Sequence, residues 1–351
     1  MDFIHNGQAS GSVATRLLDN NFDVRVLRPY VANDGRHYIT QNVSGKPTPV
    51  LQRNANATLR IDQWKIIDDA VLRAARPRLQ VTQILRSAGL VRSVPNAFGK
   101  TVVESQRMGD ITGATISMDP ARKSEGDRPE FDIVNVPLPV VHKDFSFTAR
   151  QLAVSRNDGG ALDTTMVELA SRKVAEEVEK LILGSVSSYS YGGGTVYGLT
   201  NYPGRLTKVL TSPTATGWTP TTLITELLAM RQQATDVNMF GPFALFLSPF
   251  WDVYLDADYN ATMGNITLRQ RVQAIGNISN IMTLDYLTNK QAILVQLTPD
   301  VIQLLDGMGI TTVQWETNGG MEVNFKVMAI QVPHVRSDIE GQAGIIHGTA
   351  P

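Results

Sequence analysis

The stretch that most constrains the fold is DTTMVELASRKVAEEVEKLIL, residues 163–183. Its apolar residues Val167, Ala170, Val174, Val178, Leu181 and Ile182 recur at steps of three and four, which sets them along one stripe of an α-helix with a charged face opposite. Thr165 stands three residues before Glu168, the spacing of a capping box; Asp163 is a second candidate N-cap, and Gly184 follows as a stop. Glu168 with Arg172, and Glu176 with Lys180, predict ion pairs of about 0.3–0.5 kcal/mol each. At about 1.5 Å per residue the helix is a rod of roughly 30 Å, enough to cross a domain. Taken alone, such a rod is the core helix of any α+β protein.

A chain of 351 residues exceeds one ordinary core and implies two or three units. The formal net charge of −1 asks for neither a nucleic-acid nor a membrane surface. The absence of cysteine excludes disulfides, thiolate catalysis and cysteine metal sites, and fits a reducing cytoplasm. MDFIHNGQASGS has no basic segment leading into an apolar one, so no signal peptide is expected. The longest apolar run, residues 240–251, is broken by Pro242 and Pro249, so a soluble chain with no membrane partner is expected.

Motifs of chemistry are missing. Gly99, Lys100 and Thr101 resemble the end of a phosphate-binding loop, but Val94 stands where its first glycine belongs. Gly192, Gly193, Gly194 and Gly198 lack dinucleotide-fingerprint spacing and read as a flexible linker. His5, His37, His142, His334 and His347 are dispersed, there is no G-x-S-x-G elbow, and the adjacent Asp68 and Asp69 point different ways on a helix. No catalytic, cofactor-binding or metal residue is assigned, and the chain is not expected to be an enzyme.

Along the chain, residues 1–60 are rich in Asn, Gly, Ser and Thr, with a slight basic bias, and read as an arm that is flexible or ordered only on a partner. Within it, residues 22–31 and 38–43 can pair as short strands. A helix follows from Ile61 with Trp64, Ile67, Val71 and Leu72 on its apolar face and Asp62 as N-cap; it ends near Arg76, before Pro77, and a second piece runs through Ile84 and Leu85. TVVESQRMG, ATISM and EFDIVNVPL have strand composition around the charged turn DPARKSEGDRP, predicting a long β-hairpin. A two-stranded hairpin is marginal alone in water, so this one needs a surface to lie on. After the glycine linker come a helix at 219–236 led by Pro220, a buried strand FALFLSP, a helical start at 250–255, a polar loop at 256–265 and a short helix at 266–275. Short strands or turns are expected at 281–287, 292–297 and 301–305, then a hairpin around Asn318, Gly319 and Gly320, then a polar tail from Arg336.

The order of these elements, with VVHKDFSFTARQL, GALDTTMVELASRKVAEEVEKLILG, Tyr197, Gly198, Leu199 and the block from Asn265 to Trp315, resembles the HK97-type shell proteins: major capsid proteins of tailed bacteriophages and the related encapsulins. The likeness covers about residues 60–335. It implies an α+β HK97-like capsid fold with 1–60 as N-terminal arm, 61–96 as the first part of a peripheral domain and 97–136 as the extended hairpin loop. Residues 137–205 would be the second peripheral part with spine helix 163–183, 206–312 an α/β axial domain, and 313–351 the third peripheral part and C-terminal tail. The implied function is a structural protein that assembles through pentamers and hexamers into an icosahedral phage head around double-stranded DNA. Its partners would be other copies of itself, a portal, separate scaffolding or decoration proteins and the packaged DNA, its location the virion after assembly in the host cytoplasm. The alternative is an encapsulin-like compartment around a cargo enzyme, though an arm of about sixty residues departs from that group. Lys100 and Lys123 lie in the hairpin, but nothing identifies an acceptor for a covalent crosslink.

Overall fold

The computed structural model describes residues 4–5, 8–9, 27–43, 46–51, 59–108, 116, 118, 131–157, 164–186, 188–259, 266–337 and 341–351. The chain begins with two short paired strands, β1 (Ile4–His5) and β2 (Gln8–Ala9). A three-stranded sheet follows, of β3 (Tyr30–Val31), β4 (His37–Val43) and β5 (Lys46–Leu51) in that order. For this described part, the expectation of an arm that is flexible or ordered only on a partner is corrected, because Arg28 and Pro29 are tied to the next helix, α1 (Ile61–Ala75). Arg28 lies over the Trp64 ring at 4.3 Å and pairs with Asp68 at 2.7 Å, while Trp64 Nε1 donates to the Pro29 carbonyl at 3.0 Å. Ile39 is 1% exposed. Strand β4 also pairs chiefly with β5 rather than with residues before Val31. Pro47 and Pro49 alternate along β5, positions tolerated only where the missing N–H would point away from β4, so they close that sheet's outer edge.

Arg60 is the N-cap of α1, its N–H held by Gln63 Oε1 at 3.0 Å, so Asp62 falls inside the first turn rather than at the cap. Leu72, expected in the apolar stripe, is half exposed. After a 3-10 turn at Arg76–Arg78 comes α2 (Gln80–Ser87), then β6 (Val91–Ser93), β7 (Val102–Met108), β8 (Phe131–Pro137) and β9 (Val141–Thr148). Helix α3 (Ala149–Asn157) leads to the rod, α4 (Thr165–Leu183).

The rod forms as its periodicity predicts, with Val167, Ala170, Val174, Val178 and Ile182 all buried and Gly184 left-handed at φ 81°. Its start differs. Thr164 occupies the N-cap, so Thr165 is already helical and makes no capping box; the alternative cap, Asp163, lies outside the described residues. The two predicted ion pairs are replaced, because the face opposite the stripe is also partly covered. Glu168 meets Arg73 of α1 at 3.8 Å, while Glu176 takes Lys173 at 2.9 Å and Arg172 at 3.4 Å. Lys180 pairs with Glu177 at 3.6 Å.

Beyond α4, residues read as a flexible linker form a tight hairpin, β10 (Tyr189–Tyr191) with β11 (Gly194–Val196). Its turn has positive φ at both Gly192 (58°) and Gly193 (76°), the geometry that matches strand twist. The chain continues through β12 (Leu206–Val209), α5 (Pro220–Asp236), β13 (Phe243–Leu247), α6 (Asp252–Leu255), α7 (Leu268–Gln273), β14 (Ile278–Thr283) and β15 (Gln291–Gln296). It closes with β16 (Ile302–Thr317), β17 (Glu322–Val335) and β18 (Ile345–Thr349).

Two larger sheets result. The four-stranded one, ordered β6-β16-β17-β9, packs on α4 and α1 through a cluster in which the Phe325 ring stacks on Phe145 at 5.2 Å and meets Phe147 at 5.8 Å and Trp64 at 6.2 Å edge-on. Its long hairpin turns at Asn318, Gly319 and Gly320 as expected, but β16 begins at Ile302 rather than near Thr311. The register slips between Asp306 and Thr311, where Gly307 and Gly309 sit; glycine there broke the strand pattern, and a Cβ at Gly307 would come within 2.2 Å of the Ala97 methyl. The five-stranded sheet, ordered β12-β18-β15-β13-β14, has β13 buried end to end and α5 packed over it through Leu223, Leu227 and Met230. Strand β18, read as polar tail, runs between β12 and β15, with Ile345 and Ile346 wholly buried. Two isoleucines between glycines are too short a run to stand out in sequence. No helix among the described residues is long and apolar enough to cross a membrane.

Candidate functional site

Strands β7 and β8 make the predicted long hairpin, paired from Val102 with Pro137 to Met108 with Phe131. ATISM and the charged turn lie outside the described residues, apart from Ile116 and Met118. Among the described residues, the apolar anchoring of the hairpin is at its base. Val136 and Leu138 join a small core with Val94, Ala97, Val196, Leu305, Ile330 and Val332. Outward from Val136 the burial stops: Ile133 is 62% exposed, and Ile116 and Met118 have no cover at all. Apolar side chains in that position look for a surface that the described residues do not supply.

The base is held from the side by the small hairpin. Asn135 Nδ2 donates to the Gly192 carbonyl at 3.2 Å, and a Cβ on Gly194 would sit 2.0 Å from the Asn135 carbonyl oxygen. Glycine at 194 is therefore a close-approach requirement rather than a sign of flexibility. Arg107 pairs with Asp132 across the hairpin at 2.8 Å and donates to Ser337 Oγ at 3.2 Å, a second tether to the body. Between hairpin and body lies a cleft of about 700 Å³, whose walls include Gln106, Ile133, Tyr197, Tyr202, His334 and Arg336. The Leu138 N–H donates to Thr101 O, which fixes the ladder phase so that Val102, Glu104 and Gln106 turn their backbone groups away from β8. That edge carries no proline and has no neighbouring strand among the described residues, unlike the closed edge of β5.

The residues weighed for chemistry are not gathered by the fold. Gly99 ends a short 3-10 turn and Lys100 is exposed beside it, at the foot of the hairpin; Lys123 lies outside the described residues. His334 and His347 are buried in different sheets, and His142 is exposed on β9. Burial first, then Arg336 and Arg92, push His334 down to about 4; burial, then Arg205, does the same to His347. Both are neutral interior groups at neutral pH. In the five-stranded-sheet part of the chain, Arg269 of α7 clamps Asp252 at 2.6 Å and Asp256 at 2.9 Å, and the Arg269 and then the Thr283 hydrogen bond hold Asp252 below the usual carboxylate range. This pins the foot of the polar loop whose residues 260–265 lie outside the described ones. Among the described residues no three His, Asp or Glu side chains converge on a metal position.

Sequence reasoning missed Glu179, a buried acid on α4. The signal was available: it stands four residues after Ala175 and four before Leu183, on the buried side of the rod. It also missed the Arg28 clasp on Trp64, which no spacing rule links.

The model of a family of unknown function, DUF6260, matches residues 54–348. Among solved structures, the virus-like particle from Pyrococcus furiosus is similar at 16% identity and TM-score 0.57, over 82% of this chain and 99% of that one. The capsid of Myoviridae phage XM1 is similar at 10% identity and TM-score 0.58, over 76% and 90%. A chain from Mycobacterium phage Bobi is similar at 10% identity and TM-score 0.53, again over 76% and 90%. The fold is thus the α+β HK97-like capsid fold that the order of elements implied.

Proposed function

Since the chain belongs to the DUF6260 family and has the fold of capsid proteins, we propose that it is the major capsid protein of a tailed phage, a structural protein and not an enzyme. The observation that carries this reading is the hairpin: anchored at its base, with an open edge and bare apolar side chains beyond it. In a shell, a neighbouring copy covers what each subunit leaves exposed, and closed symmetry repeats each modest contact many times.

On this reading residues 1–60 are the arm, 61–96 and 137–205 the peripheral domain around the spine, and 97–136 the extended loop. Residues 206–301 with β18 are the axial domain, built on the five-stranded sheet, while β16 from Ile302 and β17 go with the four-stranded sheet of the peripheral domain. Pentamers and hexamers build the head, with a portal, separate scaffolding or decoration proteins and packaged double-stranded DNA as partners, assembled in the host cytoplasm. The near-neutral charge suits DNA confined rather than tightly bound.

Deleting residues 105–128 tests this. The expected outcome is a subunit with near wild-type circular dichroism and thermal transition that forms no closed shells by electron microscopy; normal shells from the deletion would refute the role of the hairpin.

A further inference from the structure

Two acids on α4 are buried three residues apart and treated in opposite ways. Glu176 has Lys173 and Arg172 beside it; burial raises its pKa, but the Lys173 hydrogen bond and both cations outweigh that and hold it below the usual value. Glu179, 1% exposed, has no ion-pair partner among the described residues. Its Oε1 accepts the Val81 N–H at 2.5 Å and its Oε2 the Thr82 hydroxyl at 3.3 Å, so it caps the first turn of α2 from another element. Burial outweighs these hydrogen bonds and pushes the carboxyl up to about 7.

The same place joins three parts of the chain. Gln80 of α2 accepts the Asp285 N–H at 3.3 Å, Arg78 pairs with Asp285 at 3.4 Å, and Ser185 donates to the Tyr286 carbonyl at 3.1 Å. Residues 284–287 form the turn between β14 and β15, so the spine, α2 and the five-stranded sheet meet here. Charged groups on the spine, α2 and the turns that flank them are engaged: Arg78 with Asp285, Lys180 with Glu177 and over the Tyr286 ring at 5.9 Å, Arg86 with Asp306 at 2.6 Å, and Glu176 as above.

We propose that Glu179 is a proton-operated catch between α2 and the spine helix, closed when protonated and loosened when ionised. The neutral acid still accepts the Val81 N–H through its carbonyl oxygen, and the Thr82 hydroxyl, which donates to Oε2 at 3.3 Å, can rotate to accept from the acid O–H instead. Loss of that proton to solvent leaves a charge in a nearly dry site with only amide and hydroxyl donors to meet it. Opening α2 admits water to the charge and relieves it. The catch therefore stiffens the joint between the spine and the five-stranded sheet below neutral pH and relaxes it above. It is independent of whether the chain forms shells.

Hydrogen exchange by mass spectrometry on the full chain tests this, comparing the peptide over residues 80–87 in wild type and Glu179→Gln at the same pH, so that intrinsic exchange rates cancel. Equal protection at pH 5.5 is expected. At pH 8.5 the wild type should exchange at least tenfold faster than the variant, with a midpoint near 7. A ratio that stays constant with pH, or a variant less protected than wild type at pH 8.5, overturns the catch. If the variant does not fold, the wild type alone decides through exchange of the same peptide corrected for intrinsic rates. Protection lost with a midpoint near 7 supports the catch, and protection that stays constant from pH 5.5 to 8.5 overturns it. Neither readout depends on assembly, so shell formation is judged separately.

Discussion

His334 and His347 set the response of the subunit to acid. Both are nearly covered, at 4% and 7% exposure, and both are held neutral at about 4 against an ordinary value of 6.5. In the unfolded chain each takes up a proton as pH falls through 6.5, whereas in the fold each resists until about 4. Stability from this source is complete above pH 6.5 and is lost as pH falls to 4. At about 1.4 kcal/mol per unit, each histidine accounts for about 3 kcal/mol, and both together for a large share of a net stability of roughly 5–15 kcal/mol. Urea unfolding of subunits kept unassembled, at pH 7.5 and 4.5, measures it. His334→Gln and His347→Gln should each reduce the acid loss by about 2–3 kcal/mol, and the double variant by about twice that. Carboxylates such as Asp252 also contribute to acid unfolding, so the comparison is between variants and wild type rather than with zero. A double variant with the full wild-type acid loss would refute the reasoning. Glu179 acts with the opposite sign, since its raised pKa lowers stability as pH climbs from 4.5 to about 7.

Other substitutions probe the frame. Phe325→Ala removes the ring at the centre of the aromatic cluster and should cost about 3–5 kcal/mol in denaturant unfolding; a cost under about 1 kcal/mol would mean the cluster is not a packed core. Gly194→Ala puts a methyl against the Asn135 carbonyl, so limited proteolysis within the hairpin should quicken several-fold while the spine stays protected; an unchanged cleavage rate contradicts the close approach. Arg28→Ala breaks the stack on Trp64 and the Asp68 pair, and cleavage among residues 27–51 should rise with little change in the main unfolding transition.

The rod, the hairpins and the buried strand β13 were legible because each rests on local periodicity or on turn residues with a fixed geometric demand, as at Asn318 to Gly320. Strand β18 was not, since its burial comes from β12 and β15, far away in sequence. The docking of residues 27–39 depended on long-range contacts, Arg28 with Trp64 and Asp68 and Trp64 with the Pro29 carbonyl, which leave no pattern in composition. The glycines at 192–194 show the same limit: composition reads them as slack, while position 194 is glycine because another backbone lies against it. The candidate surface was legible in outline, as a hairpin too long to stand alone, but its open edge and the tethers at Asn135 and Arg107 needed coordinates. The Glu168 pair on the rod was misassigned because α1 covers part of that face, while Glu176 turns back to Arg172 and Lys173 rather than forward to Lys180.

The most direct test of a capsid role is electron microscopy of the full-length protein after expression, with particle contents assayed in parallel. Closed icosahedral shells, or pentamers and hexamers that convert to them, are predicted, with DNA rather than a protein cargo inside particles from native infection. A protein cargo there would move the reading to an encapsulin-like compartment, and a monomer of about 38 kDa that stays monomeric at high concentration under assembly conditions would contradict the shell role itself.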